Sequence, residues 1–182
     1  IELFVLNESD PKHRKLDSLI TFQADHDISM ADLHCDGSYI FATNHASRNL
    51  SVYDISRQTM ISNDFVMPSE ITSFALPLNN SRFVAAGCDS CIRIYDISVG
   101  TDPVAEIPKR CRHLAFDPSG YILSVLSHDS NELILYHLDQ TGIPKEEITK
   151  EVYDTTTEVH FSYNEDYIAM LGKNDCIDLI AP

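Results

Sequence analysis

Helix signals are nearly missing from this sequence: no long stretch places apolar residues at the i, i+3, i+4, i+7 spacing. That leaves strands and turns to carry the fold. No run approaches the ~18 apolar residues that a membrane-spanning helix needs, so no membrane contact is expected. The first six residues alternate like a strand and do not open a signal peptide. Basic residues are scarce: 13 Lys+Arg stand against 28 Asp+Glu, a net charge of −15. A phosphate backbone is repelled on average, which excludes broad non-specific nucleic-acid binding. A local basic patch stays possible, but basic faces of protein partners fit better. Glycine is scarce too, six in 182 residues, and most sit in turns. No glycine loop that cradles phosphate, no nucleotide fingerprint and no G-x-S-x-G occurs.

What is present is a chain for a packed core: 43% hydrophobic and 23% charged residues read as globular, not disordered. Five cysteines are an odd number in a chain too large to need disulfide staples, so reduced thiols in cytosol or nucleus are expected. Three N-x-S sequons (at Asn7, Asn49 and Asn79) are discounted as chance tripeptides.

A repeat organises the whole chain. Leu50-Ser51-Val52-Tyr53-Asp54-Ile55 recurs as Ile92-Arg93-Ile94-Tyr95-Asp96-Ile97 and as Leu133-Ile134-Leu135-Tyr136-His137-Leu138. A worn copy is Cys176-Ile177-Asp178-Leu179-Ile180-Ala181, and a first copy opens the chain as Ile1-Glu2-Leu3-Phe4-Val5-Leu6. The steps are 49 residues from Phe4 to Tyr53, 42 from Tyr53 to Tyr95, 41 from Tyr95 to Tyr136 and 43 from Tyr136 to Leu179. An insertion over 7–15 accounts for the long first step. Each later copy follows an alternating strand (28–34, 71–76, 111–116, 158–162), a turn, and a second strand (39–43, 82–86, 121–126, 167–171). Cys35-Asp36-Gly37-Ser38 and Asp117-Pro118-Ser119-Gly120 carry the residues a type I turn prefers. A turn containing Asp89, Asp129 or Asp175 leads into the repeated hexapeptide, and a weaker fourth strand follows, as at 59–66 and 104–107.

Four short antiparallel strands every ~40–45 residues predict an all-β propeller. Here the residues resemble a family. The segment from Phe83 to Asp96 resembles a WD repeat, with Tyr95-Asp96 at the Trp-Asp dipeptide. Leu114-Ala115-Phe116-Asp117-Pro118-Ser119-Gly120 is similar to that family's first strand and turn, and Asp25-His26 stands near its Gly-His pair. The likeness departs in three ways. There is no Trp, most Gly-His pairs are missing, and only Asp54 and Asp96 keep the terminal Asp. The resemblance implies a WD40-type propeller of about four four-stranded blades from a larger, seven-bladed ring. Blade cores are expected at 26–66, 69–107, 110–150 and 157–182, after a leading strand 1–6 of a preceding blade. The chain is expected to be an excerpt. Tyr53, Asp54, Asp89, Tyr95, Asp96 and Tyr136 are its structural repeat positions.

Chemistry-bearing motifs are few. Cys88-Asp89-Ser90-Cys91 is a C-x-x-C, in isolation a redox pair or half a zinc site. No second pair follows, Cys111 and His113 fall one blade away, and a structural role is the expectation. None of the eight histidines forms a tight ligand spacing; His26 and His113 read as structural or surface residues at blade starts. No catalytic residue, cofactor or metal is expected. Stretches 7–10 and 145–151 read as solvated acidic loops, and the basic pentapeptide 11–15 as a solvated loop. Lys109, Arg110 and Arg112 lie where one blade passes to the next, on a rim where propeller loops recruit partners, and are the expected partner-binding residues.

The order of features further resembles the N-terminal propeller of the replisome adaptor family, the acidic nucleoplasmic, cohesion-establishment proteins. The residues that carry it are Asn7-Glu8-Ser9-Asp10-Pro11, Phe74-Ala75-Leu76-Pro77-Leu78, Phe83-Val84-Ala85-Ala86-Gly87 and His113 to Tyr121. This implies a nuclear, non-catalytic protein–protein scaffold in DNA replication and sister-chromatid cohesion. Its partners would be other proteins of a multisubunit complex, with nucleic-acid contact secondary. The alternatives are a WD subunit of the small-ribosomal-subunit processome and a WD subunit supporting a catalytic partner such as a methyltransferase. Nuclear residence is expected, with the cytoplasm second.

Overall fold

A computed structural model of the chain describes residues 1–7, 15–22, 27–44, 46–79, 82–173 and 177–180. His13, His26, His45, Asp175, Cys176 and most of the basic pentapeptide lie outside the described residues. The described residues form strands and turns. A leading hairpin pairs β1 (Glu2–Asn7) with β2 (Lys15–Thr21). The first blade runs β3 (Met30–Leu33), β4 (Tyr39–Thr43), β5 (Asn49–Asp54) and β6 (Thr59–Val66). The second runs β7 (Ile71–Ala75), β8 (Phe83–Cys88), β9 (Ile92–Asp96) and β10 (Pro103–Ile107). The third runs β11 (Cys111–Phe116), β12 (Ile122–Ser127), β13 (Glu132–Leu138) and β14 (Pro144–Glu151). The fourth has three described strands, β15 (Thr156–Phe161), β16 (Ile168–Gly172) and β17 (Ile177–Ile180). Every blade is an antiparallel meander in chain order.

Two segments differ from expectation. The stretch 145–151, read as a loop, is the body of β14, paired along its length with β13 from Glu132↔Glu151 to Leu138↔Pro144. Its residues beyond Pro144 are all exposed, so an outer edge strand has no apolar face for a period-2 pattern to mark. The segment that begins at Lys15 is also a strand, which gives the leading strand a partner.

The first three blades bury both faces of their second strands. Along β8 all six residues are buried. Val84, Ala86 and Cys88 pack with Phe41, Leu50, Phe65 and Met67 of the first blade. Phe83 and Ala85 pack with Leu114, Phe116, Leu123 and Val125 of the third. Leu126, Leu133 and Leu135 continue the stack onto Val159, Ile168 and Met170 of the fourth. A strand buried on both faces reads as a continuous apolar run, which explains Phe83-Val84-Ala85-Ala86-Gly87-Cys88. Each large side chain so buried contributes about 1.5–3 kcal/mol, so the core sits between sheets. First strands of neighbouring blades also touch, β7 with β11 and β11 with β15. The Ser73 hydroxyl accepts from the Leu114 amide at 3.1 Å, and His113 Nδ1 accepts from the Val159 amide at 3.4 Å.

Candidate functional site

The repeat positions divide their work. Asp54 and Asp96 end their strands and cap the turn that follows. Asp54 Oδ1 accepts from the Ser56 hydroxyl at 2.6 Å and the Arg57 amide at 2.9 Å. Asp96 Oδ1 accepts from the Ser98 hydroxyl at 2.6 Å and amide at 3.0 Å, and Arg82 pairs with its other oxygen. In the third blade His137 stands at the repeat's Asp position, and Asp139, two residues on, does the capping. It accepts from the Thr141 hydroxyl at 2.6 Å and amide at 2.8 Å. The shared signal is Asp-x-Ser/Thr, an Asx-turn pattern. It also occurs at Asp36-Gly37-Ser38 and Asp117-Pro118-Ser119, where each Asp caps a turn between first and second strands. Counting that pattern would have found Asp139.

The repeat tyrosines face different surroundings. Tyr53 is buried and meets Phe22 edge-on, ring centroids 5.4 Å apart. Tyr95 packs edge-on against Phe65 of the first blade at 5.2 Å and donates to the Val66 carbonyl at 3.1 Å. Burial pushes its phenol up to about 12. Tyr136 holds the same position one blade later, yet its buried hydroxyl has no hydrogen-bond partner among the described residues. Tyr95 also meets Met67 Sδ at 3.4 Å. Tyr136 lines a groove of about 560 Å³ between β10 and β14, with Lys109, Glu147, Pro108 and Ile143. Burial raises its phenol, with the Lys109 and Glu147 charges acting on it from the side.

The three rim cations do not form one patch. Lys109 turns into that groove and donates to Glu147 Oε1 at 2.8 Å, which holds its ammonium above the usual range. Arg110 turns to the loops at the end of the blades. It bridges Asp129 at 3.1 Å and Asp89 at 3.5 Å, one carboxylate from each of two neighbouring blades. Arg112 is committed to the fold. Its Nε donates to the Ser127 carbonyl at 2.7 Å, and its Nη2 to the Ser130 carbonyl at 3.3 Å and Asn131 Oδ1 at 3.5 Å. Its Nη1 reaches the Asp154 carbonyl at 3.5 Å, on the link to the fourth blade. Asp89 and Asp129 are largely exposed, so this end of the blades presents paired charges of both signs.

Cys88 and Cys91 flank the tight turn Asp89-Ser90, and the Cys88 amide donates to the Cys91 carbonyl at 2.9 Å. Among the described residues no three His, Cys, Asp or Glu side chains converge as a metal cluster.

No protein-family model matches this chain, and no curated protein matches it. Solved structures do. The chain is similar to the β-propeller domain of Cps50 (Swd1) from Myceliophteria thermophila, with a TM-score of 0.71 and 10% identity over 88% of this chain. It is also similar to a chain of a mitotic checkpoint complex, with a TM-score of 0.75 and 13% identity over 91% of this chain. The chain spans about half of each, 53% and 54% of their lengths. At these identities the likeness establishes the fold, an all-β propeller.

Proposed function

We propose that this propeller is a non-catalytic protein–protein interaction scaffold in a nuclear multisubunit complex. The observation that carries the reading is the loop rim where the second and third blades meet. There Arg110 holds Asp89 and Asp129 together, while Lys109 and Glu147 form a second pair on the outer side. Each cation is already matched by a carboxylate, so the rim does not offer a run of free positive charge to a nucleic-acid backbone. Complementary paired charges on a rigid β scaffold suit a protein surface, which can exchange partners with them. The net charge of −15 points the same way, toward partners with basic faces. One of the similar solved structures is a component of a complex, in keeping with this role.

Within that class we favour a replisome adaptor acting in DNA replication and sister-chromatid cohesion. The support is the order of sequence features from Asn7 through Tyr121. Affinity capture of the tagged full-length protein from nuclei, followed by cross-linking mass spectrometry, tests it. Recovery of helicase and polymerase α, with cross-links at Lys109, supports the reading. Recovery of pre-ribosomal proteins instead assigns the chain to the small-ribosomal-subunit processome. Co-purification with a methyltransferase assigns it to support of a catalytic partner.

A further inference from the structure

The C-x-x-C motif is left unused by a scaffold, and its geometry sets it apart. Cys88 ends β8 and Cys91 precedes β9, so the two residues face each other across a two-residue turn. The backbone bond between them fixes that register. Their sulfur atoms are 3.9 Å apart. A disulfide needs about 2.05 Å between sulfurs, so closure brings the two sulfurs about 1.9 Å nearer. Both thiols are buried, Cys91 at 3% exposure, so only a small oxidant reaches them. The exposed thiol of the described residues is Cys35, which stands in a different blade.

We propose that Cys88 and Cys91 are an oxidisable pair that closes to a disulfide across the Asp89-Ser90 turn when a hydroperoxide enters. The two sulfurs have different surroundings, which assigns their roles. Burial raises the Cys88 thiol, but the Ser69 and Ser90 hydroxyls and the Ser90 and Cys91 amides outweigh it and bring it to about 7. Ser90 Oγ is 3.4 Å from the sulfur. Cys88 is therefore the sulfur that attacks. Burial, with the Cys88 charge beside it, pushes Cys91 up to about 11, so Cys91 keeps its proton until it resolves the intermediate.

The chemistry balances with one peroxide. The Cys88 thiolate attacks a peroxide oxygen, a sulfur–oxygen bond forms, the oxygen–oxygen bond breaks, and the leaving hydroxide takes up a proton as water. Cys88 is oxidised to the sulfenic acid and the peroxide is reduced. Cys91 sulfur then attacks Cys88 sulfur; the sulfur–sulfur bond forms, the sulfur–oxygen bond breaks, and the Cys91 proton leaves with hydroxide as a second water. Cys111 is not the resolving thiol. It is packed under Gly87, 3.8 Å from the Thr72 hydroxyl, and burial holds it up at about 12. The disulfide would stiffen the turn that carries Asp89, one of the two carboxylates held by Arg110.

The test is native treatment of the full chain with hydrogen peroxide, alkylation of free thiols, and mass spectrometry. Trypsin places both sulfurs in one peptide, Phe83 to Arg93, and leaves Cys111 in another. The expected result is loss of two hydrogens from the Phe83–Arg93 peptide, with alkylation blocked until a phosphine reductant is added. C111S should leave this unchanged, and C91S should stop at a Cys88 sulfenic acid that dimedone traps. The proposal is overturned if the peptide stays doubly alkylated while Cys35 oxidises. It is equally overturned if Cys88 is recovered linked to Cys111, or if the bond forms only in denaturant.

Discussion

The Tyr95 hydroxyl leaves its own blade and donates to the main-chain carbonyl of Val66, 3.1 Å away at the end of the preceding blade. Tyr136 sits at the same repeat position and makes no such bond. The pair is an internal control for what the latch contributes. Tyr95→Phe removes one buried hydrogen bond but does not orphan Val66, because Arg93 Nη1 also donates to that carbonyl at 2.6 Å. The expected cost is about 1 kcal/mol. Tyr136→Phe removes a hydroxyl that makes no such bond, though Lys109 and Glu147 act on it, and should cost less than Tyr95→Phe. Urea unfolding of the two variants beside the parent protein measures the difference. Equal losses would mean that Tyr136 finds an acceptor in solution.

Acid should loosen the turns before it loosens the sheets. Ser56 and Ser98 hydroxyls, turn amides and the Arg82 guanidinium stabilise the ionised forms of Asp54 and Asp96, and both sit below the usual carboxylate range. For Asp96 these donors overcome a burial effect of opposite sign. Thr141 and the Ile143 amide lower Asp139 in the same way. A carboxylate whose folded pKa is depressed contributes stability above its unfolded value, about 3.9. That contribution disappears as pH falls through the folded value. The thermal midpoint should therefore be flat from about pH 7 to 5 with respect to these groups and fall below about pH 4. Asp96→Asn should lower the midpoint at neutral pH and flatten the acid limb, since an amide keeps the shape without the charge.

Gly87 is in a strand, where glycine is normally a disadvantage. A Cβ there would fall 2.1 Å from the Cys111 sulfur. Gly87→Ala should cost about 1–3 kcal/mol by overpacking. The partner substitution makes the claim specific. In Gly87→Ala with Cys111→Ala the new methyl occupies the space the sulfur leaves, so the double variant should be nearly as stable as Cys111→Ala alone. The double-mutant cycle should give a favourable coupling on the order of 1–2 kcal/mol. Additive losses would place the cost of Gly87→Ala elsewhere.

The strands that the sequence marks plainly are those with one consistent environment. The expected spans 39–43 and 111–116 match β4 and β11 residue for residue, because their apolar residues state their burial directly; the span 59–66 also matches β6, although Phe65 is its one buried side chain among those described. β14 is hidden because Lys145-Glu146-Glu147 has no buried side to advertise. The rim shows a different limit. Sequence position alone places Lys109, Arg110 and Arg112 at a blade junction, but Glu147, the carboxylate partner of Lys109, and Asp129 and Asp89, those of Arg110, lie 19 to 38 residues away. Pairing at that separation is a property of the blade stack, and no local pattern encodes it. Hence two members of a basic cluster in sequence become neutralised pairs in space, while Arg112 donates to carbonyl and amide oxygens.

That neutralisation separates residues available for recognition from those the fold has already used. Arg112 belongs to the second group. Its planar fork serves four acceptors, on the 127–131 segment of its own blade and at Asp154 on the link to the next. Arg112→Lys keeps the charge but cannot span that arc. It should cost about 1–2 kcal/mol, since some acceptors lose a charged donor. Lys109 is half-exposed with a single partner, so Lys109→Ala should change stability by no more than about 1 kcal/mol. Recognition reverses the order. If the rim binds a protein, Lys109→Glu should weaken capture of that partner in a salt-dependent manner while the thermal midpoint stays near the parent's. Arg112→Lys should lower the midpoint and affect capture only near the temperature at which the chain unfolds. A Lys109→Glu protein that is stable and captures its partners normally would move the interface off this rim.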